Sequence, residues 1–128
     1  MDQRPEIALL HDRRSLERAA EALRCLPLRR AFYETVSAQA LSSLEVVQRN
    51  TNLQLCRKRL GAAQVEGLLI WLIRLGVLRR EVDGQGLTER VRLTPMGRQV
   101  LERWSGEIPR APAATRLRHA LRRRWPRL

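Results

Sequence analysis

The chain of 128 residues carries 25 basic against 13 acidic side chains, a net charge of +12, and 44% of it is hydrophobic. That length and apolar share suffice for one modest core, so a single domain with terminal extensions is expected; no run is long and apolar enough to span a bilayer, and the acids and arginines mixed into MDQRPEIALLHDRR do not read as a secretory signal. The charge points to an anionic partner, and the expected location is cytoplasmic and nucleoid-associated.

In chain order, Leu16, Ala19, Ala20 and Leu23 share a helical face, Asp12 or Ser15 is placed to cap it, and Pro27 biases Leu26 out of the helical region. A helix near 13–25 follows. Leu28, Phe32, Val36, Ala40, Leu44 and Val47 recur at spacings of three and four, which predicts a helical stretch over 28–49 with a break where Ser42 and Glu45 have capping-box spacing. Asn50, Thr51 and Asn52 are N-cap types, so LQLCRKRL reads as a short helix over 53–59 with Leu53, Cys56 and Leu60 inward, and Gly61 makes the turn.

Next, GAAQVEGLLIWLIRLGVL puts Val65, Leu68, Leu69, Leu72 and Leu75 on one stripe, and Gly76 supplies the C′ position where a left-handed residue ends a helix. VLRREVDGQGLTERVRLT reads as one β-hairpin turning at Asp83–Gly86. In that register Val82 faces Leu87, Arg80 faces Glu89, Arg79 faces Arg90 and Leu78 faces Val91, which gathers Arg79, Arg90 and Arg92 on one face as an unfavourable like-charge cluster. A phosphate would relieve it, and so would plain solvation. Thr94 as N-cap and Pro95 at the first helical position open a last short helix, with Met96, Val100 and Trp104 on one face.

The fold class expected is therefore mainly α with a small β-hairpin. The order of residues 50–104 resembles a winged helix-turn-helix domain of the bacterial transcription-regulator type, preceded here by extra N-terminal helices. The resemblance makes 53–59 the first helix of the motif and 62–75 its recognition helix; Gly76, Val77 and Leu78 match the exit into the wing, and Thr94 with Gly97 the last helix start. It divides the chain into N-terminal helices over 1–49, offered for dimerisation, a winged core over 50–106 and a basic tail over 107–128. It implies double-stranded DNA as partner and a homodimer, because dimeric readers match two half-sites.

The outward positions of the recognition helix are Gln64, Gly67, Trp71 and Arg74. Gln64 and Arg74 suit base or phosphate contacts, Gly67 suits close backbone approach, and Trp71 resembles a protein-contact anchor, with folding back onto the wing or the first helix as the alternative. Residues 109–128 hold seven arginines and no acid, a charge of +7 against +5 for the rest. In this tail Ala113, Leu117, Ala120, Leu121 and Trp125 oppose Arg116, Arg118, Arg122, Arg123 and Arg124, which fits a helix docking back, a basic arm on phosphates or a membrane-surface helix. The wing arginines, the Gln64, Gly67 and Arg74 face and the tail arginines are the candidate DNA contacts.

No phosphate-binding glycine loop, zinc spacing or nucleophile context is present, so the chain reads as a non-enzyme without cofactor or metal. Cys25 and Cys56 read as reduced core thiols, and His11 and His119 lie in arginine-rich segments near the two ends. One Phe and one Tyr are few stacking platforms, which disfavours RNA. The rival to DNA binding is a protein-interaction module using the Trp71 face.

Overall fold

The computed structural model describes residues 5–82 and 89–125, with side chains from residue 13 onward except that of Val82. The chain is mainly helical: α1 (Pro5–Cys25), α2 (Arg30–Ala38), α3 (Ser43–Leu53), α4 (Ala62–Arg74), strands β1 (Leu78–Val82) and β2 (Glu89–Leu93), α5 (Pro95–Leu101) and α6 (Ala113–Arg124). Helix α1 runs through Asp12 and Ser15 instead of starting there. Ala19, Ala22 and Leu23 are buried, and α1 packs on both α5 and α6.

The expected break in the second stretch occurs where the capping box sits. The Ser42 hydroxyl accepts from the Glu45 amide and Glu45 accepts from the Ser42 amide, so α3 starts with two orphan donors satisfied. Between the helices Leu41 exchanges both backbone bonds with Val91, at 3.1 and 2.8 Å, and so pins this connection to the hairpin.

The short helix expected over 53–59 is absent. α3 continues to Leu53 and ends on Gln54 in the left-handed region, φ 53°; Asn50, expected as an N-cap, instead accepts the Cys56 amide at 2.7 Å through its side chain. Residues 55–57 spend their backbone groups on residues 27–29: Arg29 donates to Leu55 at 2.8 Å and Arg57 to Pro27 at 3.0 Å. A helix there would forfeit those bonds. The helix before α4 is therefore α3, and the 49/50 boundary inferred from sequence falls inside it. One core unites the chain, from Leu23 of α1 through Phe32, Val46 and Leu69 to Ile108.

Helix α4 buries Val65, Leu68, Leu69 and Leu72 as its stripe requires, and Gly76 after it has φ +86°. Strands β1 and β2 pair antiparallel, Leu78 with Leu93, Arg79 with Arg92, Arg80 with Val91, Glu81 with Arg90 and Val82 with Glu89. This register is two residues off the expected one, so the connection spans 83–88; the Asp83–Gly86 turn and Leu87 lie outside the described residues. A slip of two preserves which face each side chain takes. Thr94 caps α5 by accepting from the Gly97 amide at 2.9 Å, behind Pro95 as expected.

The tail returns to the body. The Arg110 guanidinium donates to the carbonyls of Cys25 and Leu26, the Ala111 amide donates to Arg24, and Ile108 and Ala111 are buried. Helix α6 then lies against α1.

Candidate nucleic-acid interface

The register of the hairpin decides the chemistry of its arginines. Glu81 stands opposite Arg90 and bridges its neighbours, 3.5 Å from Arg79 and 3.3 Å from Arg92. Arg90 pairs with Glu45 of α3 at 3.1 Å. Hydrogen bonds from the Ser42 amide and from Arg90 hold the Glu45 carboxyl below the usual carboxylate range. Each arginine of the like-charge cluster expected on this face thus has a carboxylate of the chain beside it, without a phosphate. Arg80 likewise sits between Glu66 and Glu89, at 3.2 and 3.0 Å.

On α4 the four outward positions part company. Gln64 is exposed, but its side-chain oxygen accepts the Gly61 amide at 2.9 Å and so caps its own helix. Gly67 faces open space, since a Cβ there would meet nothing within 4 Å. Arg74 is exposed at the C-terminal end. Trp71 is half-buried and meets His119 of α6 edge to face, ring centroids 5.8 Å apart at 83°. The ring that meets it belongs to the chain's own tail.

Helix α6 is turned about its axis relative to expectation. Its buried residue is His119, 4% exposed, while Leu117 and Trp125 of the supposed inward stripe are 63% and 53% exposed. Arg116 and Arg123 lie half-buried on the same helix; the Arg116 Nε donates to the Ala111 carbonyl at 3.1 Å, and the Arg123 Nε is buried without a hydrogen-bond partner among the described residues. Arg118, Arg122 and Arg124 are exposed, with no ion-pair or hydrogen-bond partner among the described residues.

Beside this helix runs an open groove of about 360 Å³ whose charged lining is Lys58, Arg110, Arg116 and Arg123, with no carboxylate among them. Burial, followed by the neighbouring Arg116 and Arg57, pushes the Arg110 guanidinium down from its ordinary value, and burial followed by Arg124 does the same to Arg123. Both directions report first the burial of the guanidinium and second the cations beside it. On the other side of α6 a wider groove carries Arg13, Arg14, Arg18 and Arg24 against Glu17 and Glu21. Among the described residues, cations without a carboxylate partner gather on α6 and in the groove of Lys58, Arg110, Arg116 and Arg123, whereas sequence reading spread the charge over hairpin and tail. Lys58, Arg110 and Arg13 were missed because their convergence depends on the tail folding back.

Cys25 and Cys56 are free and buried, and burial pushes both thiols up. A family model described as Npun_F0494-like matches residues 9–123. No curated protein and no solved structure matches the chain.

Proposed function

This chain belongs to the Npun_F0494-like family, and from the distribution of charge on its fold we propose that it is a non-enzymatic winged-helix binder of duplex DNA, with α6 and its flanking grooves laid along the phosphate backbone. The observation that carries the reading is the groove lined by Lys58, Arg110, Arg116 and Arg123 without an acid, beside a helix on which Arg118, Arg122 and Arg124 are exposed. Cations that lack an internal carboxylate release condensed counterions from DNA at no competing expense, whereas Arg79, Arg90 and Arg92 must first leave Glu81 or Glu45.

Helix α4 adds little base-reading chemistry, because Gln64 is engaged in capping, Gly67 has no side chain and Trp71 is covered. The proposal is accordingly an architectural binder or regulator of low sequence selectivity, associated with the nucleoid. Fluorescence anisotropy with a random duplex tests it: Arg118→Ala, Arg122→Ala and Arg124→Ala combined should lower the slope of log affinity against log salt by about 3, at about 0.9 per phosphate contact. An unchanged slope would refute the placement.

A homodimer belongs to the same proposal, although α1 and α2, offered for its contact on sequence grounds, bury Leu23, Phe32 and Val36 inside their own chain. Sedimentation at tens of micromolar that finds monomer alone would remove it. The rival reading, a protein-interaction module, moves from Trp71 to the exposed ridge of Leu117, Leu121 and Trp125 on α6. A Trp125→Ala change that abolishes association with a protein partner while sparing DNA affinity would favour that rival.

A further inference from the structure

A third concavity lies where α1, α4 and α6 meet. It is a cavity of about 170 Å³ lined by Arg18 and Glu21 of α1, Trp71 and Arg74 of α4 with Leu75 after it, and His119 and Arg122 of α6. Its walls hold unmet hydrogen-bonding capacity. The indole Nε1 of Trp71 and both ring nitrogens of His119 are buried without a partner among the described residues, although His119 is only 4% exposed. Buried polar groups in folded proteins are almost always satisfied, and an orphaned pair beside a cavity marks the place where a bound molecule supplies the missing partner.

Charge says which kind of molecule. Arg18, Arg74 and Arg122 surround the cavity, none with an ion-pair or hydrogen-bond partner among the described residues, and Glu21 is the single carboxylate in the lining. Burial, and then Arg123, push the His119 imidazole down from its ordinary value, so at neutral pH it presents one N–H donor and one acceptor. The remaining walls are the Trp71 ring and Leu75, which suit hydrocarbon. The volume falls below the roughly 300–1,000 Å³ of sites for drug-sized ligands, which restricts the occupant to a single ring or a short chain.

We propose that this cavity is a binding site for a small organic monocarboxylate, whose carboxylate accepts from the Trp71 indole and the His119 imidazole under the three arginines while its apolar part rests on Trp71 and Leu75. Inorganic phosphate satisfies the charge but leaves the apolar walls unfilled. The site shares Arg122 with the DNA reading, but its test contains no DNA, so the two readings fail separately.

The test is a titration of the full chain with benzoate, following the indole N–H resonances of Trp71, Trp104 and Trp125 by ¹⁵N–¹H correlation, with Trp71→Phe to assign the first. Benzoate should shift the Trp71 signal saturably and leave the other two in place, benzamide should bind at least tenfold more weakly, and Arg74→Gln, a change at an exposed position, should weaken benzoate about fivefold or more. His119→Gln should do the same in a chain whose spectrum remains folded. No saturable shift at tens of millimolar benzoate, equal binding of benzamide, a response to phosphate but not to benzoate, or an unaltered Arg74→Gln titration would each overturn the proposal.

Discussion

Glycine 97 and glycine 67 are both helical, yet they answer to opposite constraints. A Cβ on Gly97 would lie 2.5 Å from the Val77 carbonyl and 2.7 Å from a Leu93 methyl, so the first turn of α5 closes onto the hairpin only without a side chain. Gly97→Ala should destabilise the chain by about 1–3 kcal/mol, the usual penalty for overpacking, as read by chemical denaturation. Gly67 has open space and bears only the helix-propensity penalty, so Gly67→Ala should add about 1 kcal/mol of stability. Its duplex affinity should stay within twofold; a tenfold loss would assign the α4 face to DNA contact. Glu45 is the third residue with a definite expectation. Its folded-state carboxyl lies below the ordinary value of 4.5, so it contributes stability that is present above that pH and is lost as pH falls through the depressed value. Melting temperatures measured down from pH 5 should show this loss, and Glu45→Gln should flatten that part of the profile.

At the scale of elements, the docking of α6 on His119 sets a separate pH window. The imidazole is pushed down from 6.5, so the folded chain resists protonation and stability is complete above pH 6.5 and declines as pH falls below it. The groups that face this ring are Trp71, Glu21, Arg122 and Arg123, and Glu21 alone opposes the shift. Trp71 fluorescence should report loosening of α6 as pH falls below 6.5, and His119→Phe should abolish that component while leaving the Glu45 step. Elements with local signatures were legible in the sequence: the Ser42 and Glu45 box, the stripe of α4 ending at Gly76, and the Thr94–Pro95 start of α5 all fold as their spacing demands. What failed depended on distant partners. LQLCRKRL has helix formers and caps, but residues 27–29 claim its backbone. The hairpin register followed an assumed tight turn, and the direction in which α6 turns was set by the fit of His119 on Trp71 rather than by the hydrophobic count of its faces.

Across the whole molecule, the charge legible in the composition is redistributed by folding. Hairpin arginines that look exposed in sequence are held by Glu81 and Glu45, whereas the tail, once docked, leaves Arg118, Arg122 and Arg124 exposed and completes a groove lined by Lys58, Arg110, Arg116 and Arg123. Surface ion pairs of the wing type contribute only about 0–1 kcal/mol each. Arg90→Ala should therefore change stability little and reduce the DNA salt slope by well under one, in contrast with Arg122→Ala, which should reduce it by about 0.9. Binding of the intact chain to a random duplex as a function of salt is the most direct measurement. A log–log slope steeper than about −4, matching at least five phosphate contacts at about 0.9 each, is the expected result; a slope near zero, or no binding at low salt, would contradict the assignment of α6 and its grooves to DNA.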